Sequence, residues 1–486
     1  MNRRSFLRST LAAIAASTTG AVARRSAYAA LESSFADHEA LPAFPENFLF
    51  GASTSSVQIE GAAREDGKGE SIWDRYASIP GKIADGSTPD IACDSYHRWP
   101  DDISLLKQMN LQSYRFSLSW PRVFPQGKGT PNQKGLDHYS RLIDALLAVN
   151  IRPLITSYHW DLPQPLEDAG GWPNRDTAGY FADYVGLLAR TYGDRVHHWG
   201  LMNEPQAFTV VGYGWGTHAP GRADRTLMLR ACHTANLAQG LGFRAIKAQN
   251  SKLQIGTTYD YDLGRPRTDS EADRAAWERY DAFRNLWFID PVFTGRYPDA
   301  FVDGVPFDAM NFKPGDETTM KVPLDYSGVN FYCGYEYFAV GQKQKLLRGL
   351  NAHAETPANK FDYEAVQEVM LWFSKCYQRP IEITECGYND ERDAPGPDGK
   401  IHDPMRVEYL HGALTGLRKA LLAGANVRSF HVWSLLDNWE WSSGYVPRMG
   451  LTYVDYKKKQ ARILKESGKW YGRVASSREI PNLHEA

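Results

Sequence analysis

The chain has 486 residues, 43% of them hydrophobic, enough for a large buried core, and a formal net charge of -2. That balance leaves no basic patch of the kind that binds nucleic acid, and past the N-terminal segment no stretch approaches the roughly 18 apolar residues that would span a bilayer. Length alone would allow two or three domains, although single α/β barrels with long loops also reach this size.

In chain order, residues 1–29 come first. They hold five Arg (Arg3, Arg4, Arg8, Arg24 and Arg25) and no acid, so their removal would leave -2 - 5 = -7. Paired Arg, then Phe6-Leu7, a short apolar run and Ala27-Tyr28-Ala29 resemble a bacterial twin-arginine signal with its cleavage site. The expectation is a protein exported by that route, periplasmic or secreted, with no stable membrane insertion; a disordered basic tail is the alternative. Residues 30–43 read as a lead-in, 44–475 as one catalytic domain and 476–486 as a tail. The five Cys (93, 232, 333, 376 and 386) are scattered without CxxC spacing, which argues against a zinc site or a disulfide framework.

From residue 48 on, short β-rich runs alternate with longer amphipathic ones. Strands are expected over 48–51, 113–119, 152–158, 198–202, 254–258, 326–330, 381–384 and 429–433. Helices are expected over 135–149, 177–192, 227–248, 363–377 and 404–423. In the first of these, Leu136, Tyr139, Leu142, Ile143, Leu146 and Leu147 follow helical spacing. Eight strands alternating with helices predict a single (β/α)8 barrel with long βα loops. Residues of chemical interest cluster at the C-terminal strand ends: Gln58, His159, Asn203 with Glu204, Asn330 with Tyr332, Glu385 and Trp433. In a barrel these ends open on one face, where active sites are built.

Glu204 and Glu385 each end a β-rich run and precede a chain breaker or turn. Strands four and seven stand on opposite sides of the ring. Two carboxylates facing across a pocket suit glycosidic bond cleavage, one protonated and one ionised; two structural ion pairs are the alternative. Arg115, in an apolar strand, needs a partner if it points inward, where its charge would favour an ionised Glu. An outward structural pair is the other reading.

From residue 44 to residue 472 the chain resembles glycoside hydrolase family 1, the family of β-glucosidases. The resemblance rests on Phe44-Pro45-Glu46-Asn47-Phe48-Leu49-Phe50-Gly51-Ala52-Ser53, Gln58-Ile59-Glu60-Gly61, Tyr114-Arg115-Phe116-Ser117-Leu118-Ser119-Trp120 and His159-Trp160-Asp161-Leu162-Pro163. It continues through Asn203-Glu204-Pro205, Asn330-Phe331-Tyr332, Thr384-Glu385-Cys386-Gly387 and the run from Trp433 to Trp441. It implies a retaining β-glycosidase with Glu204 as acid/base and Glu385 as nucleophile, supported by Arg115, Tyr332 and Asn330. It assigns the sugar to Gln58, His159, Asn203, Tyr332, Trp433, Glu440 and Trp441. No metal or organic cofactor is implied, and the partner is a small glycoside or an oligosaccharide, as in cellulose breakdown.

Glu440 would repel a 6-phosphorylated sugar, so the resemblance implies an unphosphorylated glucoside, with galactosides and fucosides as further candidates. Two positions depart from the family pattern. Cys386 replaces the usual Asn, and Met449 stands where an aromatic is usual. The rival readings are a transglycosidase using an alcohol acceptor and a non-catalytic carbohydrate-binding barrel. Aglycone contacts are expected from loops 209–225, 265–278 and 338–360.

Overall fold

The computed structural model of the protein describes residues 41–341, 348–355, 361–481 and 483. The expected signal segment, most of the lead-in and part of the 338–360 loop lie outside them. Eight parallel strands close into a barrel: β1 (Leu49–Ser53), β2 (Ser113–Ser117), β3 (Arg152–Tyr158), β4 (His198–Asn203), β5 (Gln254–Asp260), β6 (Tyr326–Asn330), β7 (Ile381–Cys386) and β8 (Val427–Trp433). β1 closes the ring by pairing with β8, Ser53 opposite Trp433. β2, β4, β6 and β7 are buried along their whole length. That is the expected state of a parallel sheet covered on one face by helices and filled on the other by side chains.

All eight expected strands are present, with ends shifted by a residue or two. The five expected helices appear as Gln133–Ala148, Asp176–Tyr192, Arg225–Gln249, Glu364–Tyr377 and Pro404–Leu422. In the first, Leu136, Tyr139, Leu142, Ile143 and Leu146 are buried as the spacing predicts, but Leu147 lies just off the apolar stripe and is exposed. The last helix, Glu466–Ser477, runs two residues into the expected tail. At the other end Phe44 and Phe48 each pack edge to face with Phe50, and the Phe44 N–H donates to the Arg478 carbonyl at 2.7 Å. Among the described residues no helix is long and apolar enough to cross a membrane.

The long loops carry more structure than expected. A π-helical stretch, Ala207–Trp215, runs into the 209–225 loop. Strands Leu263–Pro266, Tyr335–Val340 and Ala352–Glu355 form a separate sheet above the barrel, and Glu271–Asp281 is helical. These strands satisfy their backbone groups on one another across different loops, a pairing invisible to local pattern reading. The segment after β8, which carries Glu440 and Trp441, is fastened from below. Asp437 accepts from Lys465 Nζ at 2.7 Å, from Arg448 at 3.2 Å and from the Gly450 N–H at 2.9 Å. Lys465 also reaches Asp393 at 2.6 Å, and all three side chains of that bridge are buried.

Candidate active site

Register brings the predicted residues to one level. Asn203 pairs with Thr258, Asp260 with Asn330, and Asn330 with Glu385 across β4, β5, β6 and β7. Register shifts in β4 and β7 occur just before Asn203 and Glu385. Such irregularities re-aim side chains at barrel rims. Gly387 follows the nucleophile candidate because a Cβ there would stand 1.9 Å from the Trp433 carbonyl. Glu204 sits at φ 46° and Trp441 at φ 52°, left-handed backbone that costs a non-glycine residue energy and recurs at functional sites.

Arg115 points inward and is completely buried. One guanidinium nitrogen donates to Glu385 Oε1 at 2.7 Å; the other donates to Asn203 Oδ1 at 2.6 Å. Tyr332 donates its hydroxyl to Glu385 Oε2 at 2.7 Å. Asn330 donates to Asn203 Oδ1 at 3.1 Å and to Glu204 Oε1 at 2.5 Å, and is held in turn by the Thr384 hydroxyl at 2.8 Å. One continuous hydrogen-bonded chain therefore links the two carboxylates, but treats them differently. Glu385 receives a cation and a phenol. Glu204 receives one neutral amide.

Their acidities follow. Burial pushes Glu204 well above the usual carboxylate range, helped by the negative charges of Asp260 and Glu385 and opposed by the Asn330 bond. Burial also raises Glu385, but Arg115 and Tyr332 work against it. Arg115 thus favours the ionised form, as the sequence predicts, while burial leaves the net shift upward. These are the two environments that give a carboxyl pair separate acid and nucleophile duties.

The remaining predicted residues form a wall beside the pair. His159 lies between Trp433 and Trp441, near-parallel to both, with centroids 5.7 and 5.8 Å away. Its Nε2 stands 3.1 Å from the Asn203 amide nitrogen, whose oxygen is committed to Arg115 and Asn330. Burial pushes the imidazole well below its ordinary pKa. It is therefore neutral, accepts at Nε2 and carries its proton on Nδ1. That buried Nδ1 has no protein partner among the described residues.

Gln58 sits on the short helix after β1, accepts from Ser55 at 2.6 Å and donates to Asn438 at 3.0 Å. The Trp433 indole donates to Glu440 at 3.2 Å, and desolvation pushes Glu440 up to about 7. Met449 is half-buried nearby in sequence, and its carbonyl accepts from the Ser434 N–H.

Every predicted site residue is thus in the assembly. Sequence reading missed three supporting groups. Thr384 and Asn438 lie inside the recognised motifs but had no role. Asp260, at the end of β5, carries a charge close enough to raise Glu204 and is paired with Arg284, which also holds Asp262 at 2.8 Å. A signal existed: Asp260 ends an apolar strand in the same way as Glu204 and Glu385.

A closed (β/α)8 ring with two unlike carboxylates at its C-terminal mouth, walled by indoles, defines a glycoside hydrolase. The chain belongs to glycosyl hydrolase family 1, whose family model matches residues 41–480. It is 39% identical over 442 residues to β-glucosidase A of Acetivibrio thermocellus, covering 89% of this chain and 98% of that protein. It is 37% identical over 458 residues to a bifunctional β-D-glucosidase/β-D-fucosidase of Bifidobacterium breve, covering 88% and 97%. The solved family 1 β-glucosidase from Thermotoga maritima superimposes with a TM-score of 0.85 at 34% identity, covering 91% of this chain and all of that one. The complex of the Thermotoga maritima enzyme with glucoimidazole has the same TM-score, with 90% of this chain covered.

Proposed function

We propose that the protein is a retaining β-glycosidase that releases terminal β-D-glucosyl residues from unphosphorylated glycosides, with β-galactosides and β-fucosides as further substrates. The observation that carries this reading is the asymmetry of the two carboxylates. Glu385, bonded to Arg115 and Tyr332, is the group better able to hold a negative charge and attack the anomeric carbon. Glu204, raised furthest, holds the proton that the leaving oxygen needs. Attack forms a covalent glycosyl-enzyme and removes the charge of Glu385. Glu204, now ionised and relieved of that neighbour, takes a proton from water, which then releases the sugar with its configuration retained.

The wall is suited to a pyranose. Indole faces match its C–H faces, while the free Nδ1–H of His159, the Gln58 amide and Glu440 suit its hydroxyl edges. In this reading Asn203 bonds the 2-OH, a contact that strengthens as the oxocarbenium-like transition state forms. A cellulose-derived oligosaccharide fits this chemistry, and the Arg-rich segment of residues 1–29 supports export by a twin-arginine route.

The deciding experiment is Glu385→Ala with an aryl β-glucoside. Hydrolysis should vanish, and azide should restore turnover as an α-glycosyl azide. Near-normal hydrolysis by that variant would overturn the assignment. NMR of the first-formed sugar should show the β anomer; an α anomer would mean inversion.

A further inference from the structure

The departure at Cys386 has a counterpart. Its sulfur lies 4.0 Å from that of Cys333, and the Tyr409 hydroxyl closes over it at 3.6 Å. Both cysteines are buried, and no disulfide joins any of the five. Cys333 directly follows Tyr332, and Cys386 directly follows Glu385. Between those neighbours runs the 2.7 Å bond that supports the nucleophile candidate, and the Phe331 N–H donates to the Glu385 carbonyl at 3.0 Å. Cys333 sits at φ 54°, left-handed backbone for a non-glycine residue, which this crossing holds in place. The two thiols thus share one pocket between the barrel and the helix Pro404–Leu422, directly behind the active-site layer.

We propose that Cys333 and Cys386 are a modification site for peroxide, which closes them into a disulfide that disables the active site. One thiolate attacks hydrogen peroxide, its sulfur is oxidised to a sulfenic acid and hydroxide leaves. The second thiol attacks that sulfur, the S–S bond forms and water departs. In sum, two thiols and one peroxide give one disulfide and two waters. Peroxide is small enough to reach a buried pair that larger disulfides cannot. Burial holds the Cys333 thiol protonated, as it does that of Cys232, so closure responds to sustained oxidant and not to a brief pulse.

An S–S bond is about 2.05 Å long, so the sulfurs must approach by about half their present 4.0 Å separation. Part of that movement passes to the backbone carrying Tyr332 and Glu385. A displacement near 1 Å at a reacting group costs about a hundredfold in rate.

The test starts from Cys376→Ser, which removes the one exposed cysteine and leaves four. Prolonged peroxide should consume two of the four thiols titrated in denaturant, yield a peptide pair linked through 333 and 386, and lower kcat by about ten- to a hundredfold. Dithiothreitol should reverse all three changes. The double variants Cys376→Ser/Cys386→Ser and Cys376→Ser/Cys333→Ser should keep their starting kcat under the same treatment; whichever of them folds serves. Four intact thiols, a link between other cysteines, a 333–386 link with unchanged kcat, or equal inactivation of the double variants would each overturn the proposal. The kcat arm rests on the reading of Glu385 given above. Peptide mapping does not, so failure of that reading and failure of the thiol pair are told apart.

Discussion

Replacing Tyr332 with Phe removes one atom and one hydrogen bond, the 2.7 Å contact to Glu385 Oε2. The ring stays and little volume changes, so packing loss is minor. A hydrogen bond to a charged group contributes about 1.5–3 kcal/mol. Glu385 is almost fully buried, its side chain only 4% exposed, and no water replaces the phenol easily, which favours the upper half of that range. The bond stabilises the ionised carboxylate and opposes the rise that burial imposes. Its loss therefore moves the acidity of Glu385 further upward. Because attack requires the ionised form, activity should begin to fail at a higher pH as the solution is acidified. On the acid side of the profile kcat/KM should drop by roughly 40- to 140-fold, at about 1.4 kcal/mol per factor of ten. The alkaline limb, set by Glu204 giving up its proton, should stay in place. The assay is kcat/KM against pH with an aryl β-glucoside, wild type beside variant. A loss that is uniform across pH, with the acid limb unmoved, would refute the electrostatic account and leave Tyr332 a purely steric role.

Three further outcomes follow from neighbouring groups. Asp260→Asn removes a negative charge that raises Glu204, so the alkaline limb should move to lower pH while the acid limb holds; a static alkaline limb would show that Asp260 does not tune the acid. Glu440 is pushed up to about 7 and so carries its charge above that pH and loses it below. The preference for a β-glucoside over its 6-phosphate, as a ratio of kcat/KM, should therefore be larger near about pH 8 than near about pH 6, and a flat ratio would remove Glu440 as the excluding charge. Lys465→Met breaks a buried bridge to Asp393 and Asp437. Such a break costs about 3–5 kcal/mol; Arg406 and Arg448 still partner the two carboxylates, which places the expected loss at the low end. Chemical unfolding measures it, and an unchanged midpoint would contradict it.

The barrel was legible because each strand is a short β-rich run and longer amphipathic, helix-sized stretches alternate with these runs. Glu204, Glu385 and Arg115 stood out because a charge at or in such a strand has to be accounted for. What stayed hidden depends on contacts made across the sequence. Arg284 meets Asp260, the last residue of β5, from 24 residues away, a pairing that no local pattern announces. Cys333 and Cys386 are 53 residues apart, and only the register of β6 against β7 brings them together. The sheet above the barrel arises from strands in different loops, each too short to announce itself alone. For Glu385 the helping charge of Arg115 was visible in the sequence, but the depth of burial that opposes it was not.

The pairing of β1 with β8 ties the first strand to the last. A chain still being synthesised has no closed ring until residues Val427–Trp433 exist, and Glu440 and Trp441 come later still. The segment that carries Glu440 and Trp441 then waits for Lys465 to anchor it. An amino-terminal fragment that stops before β8 leaves the ring open and lacks Trp433, Glu440 and Trp441, so the complete pocket exists only once the last part of the chain is made. A gene split anywhere between those strands should yield two silent halves, with turnover appearing only when both are present together.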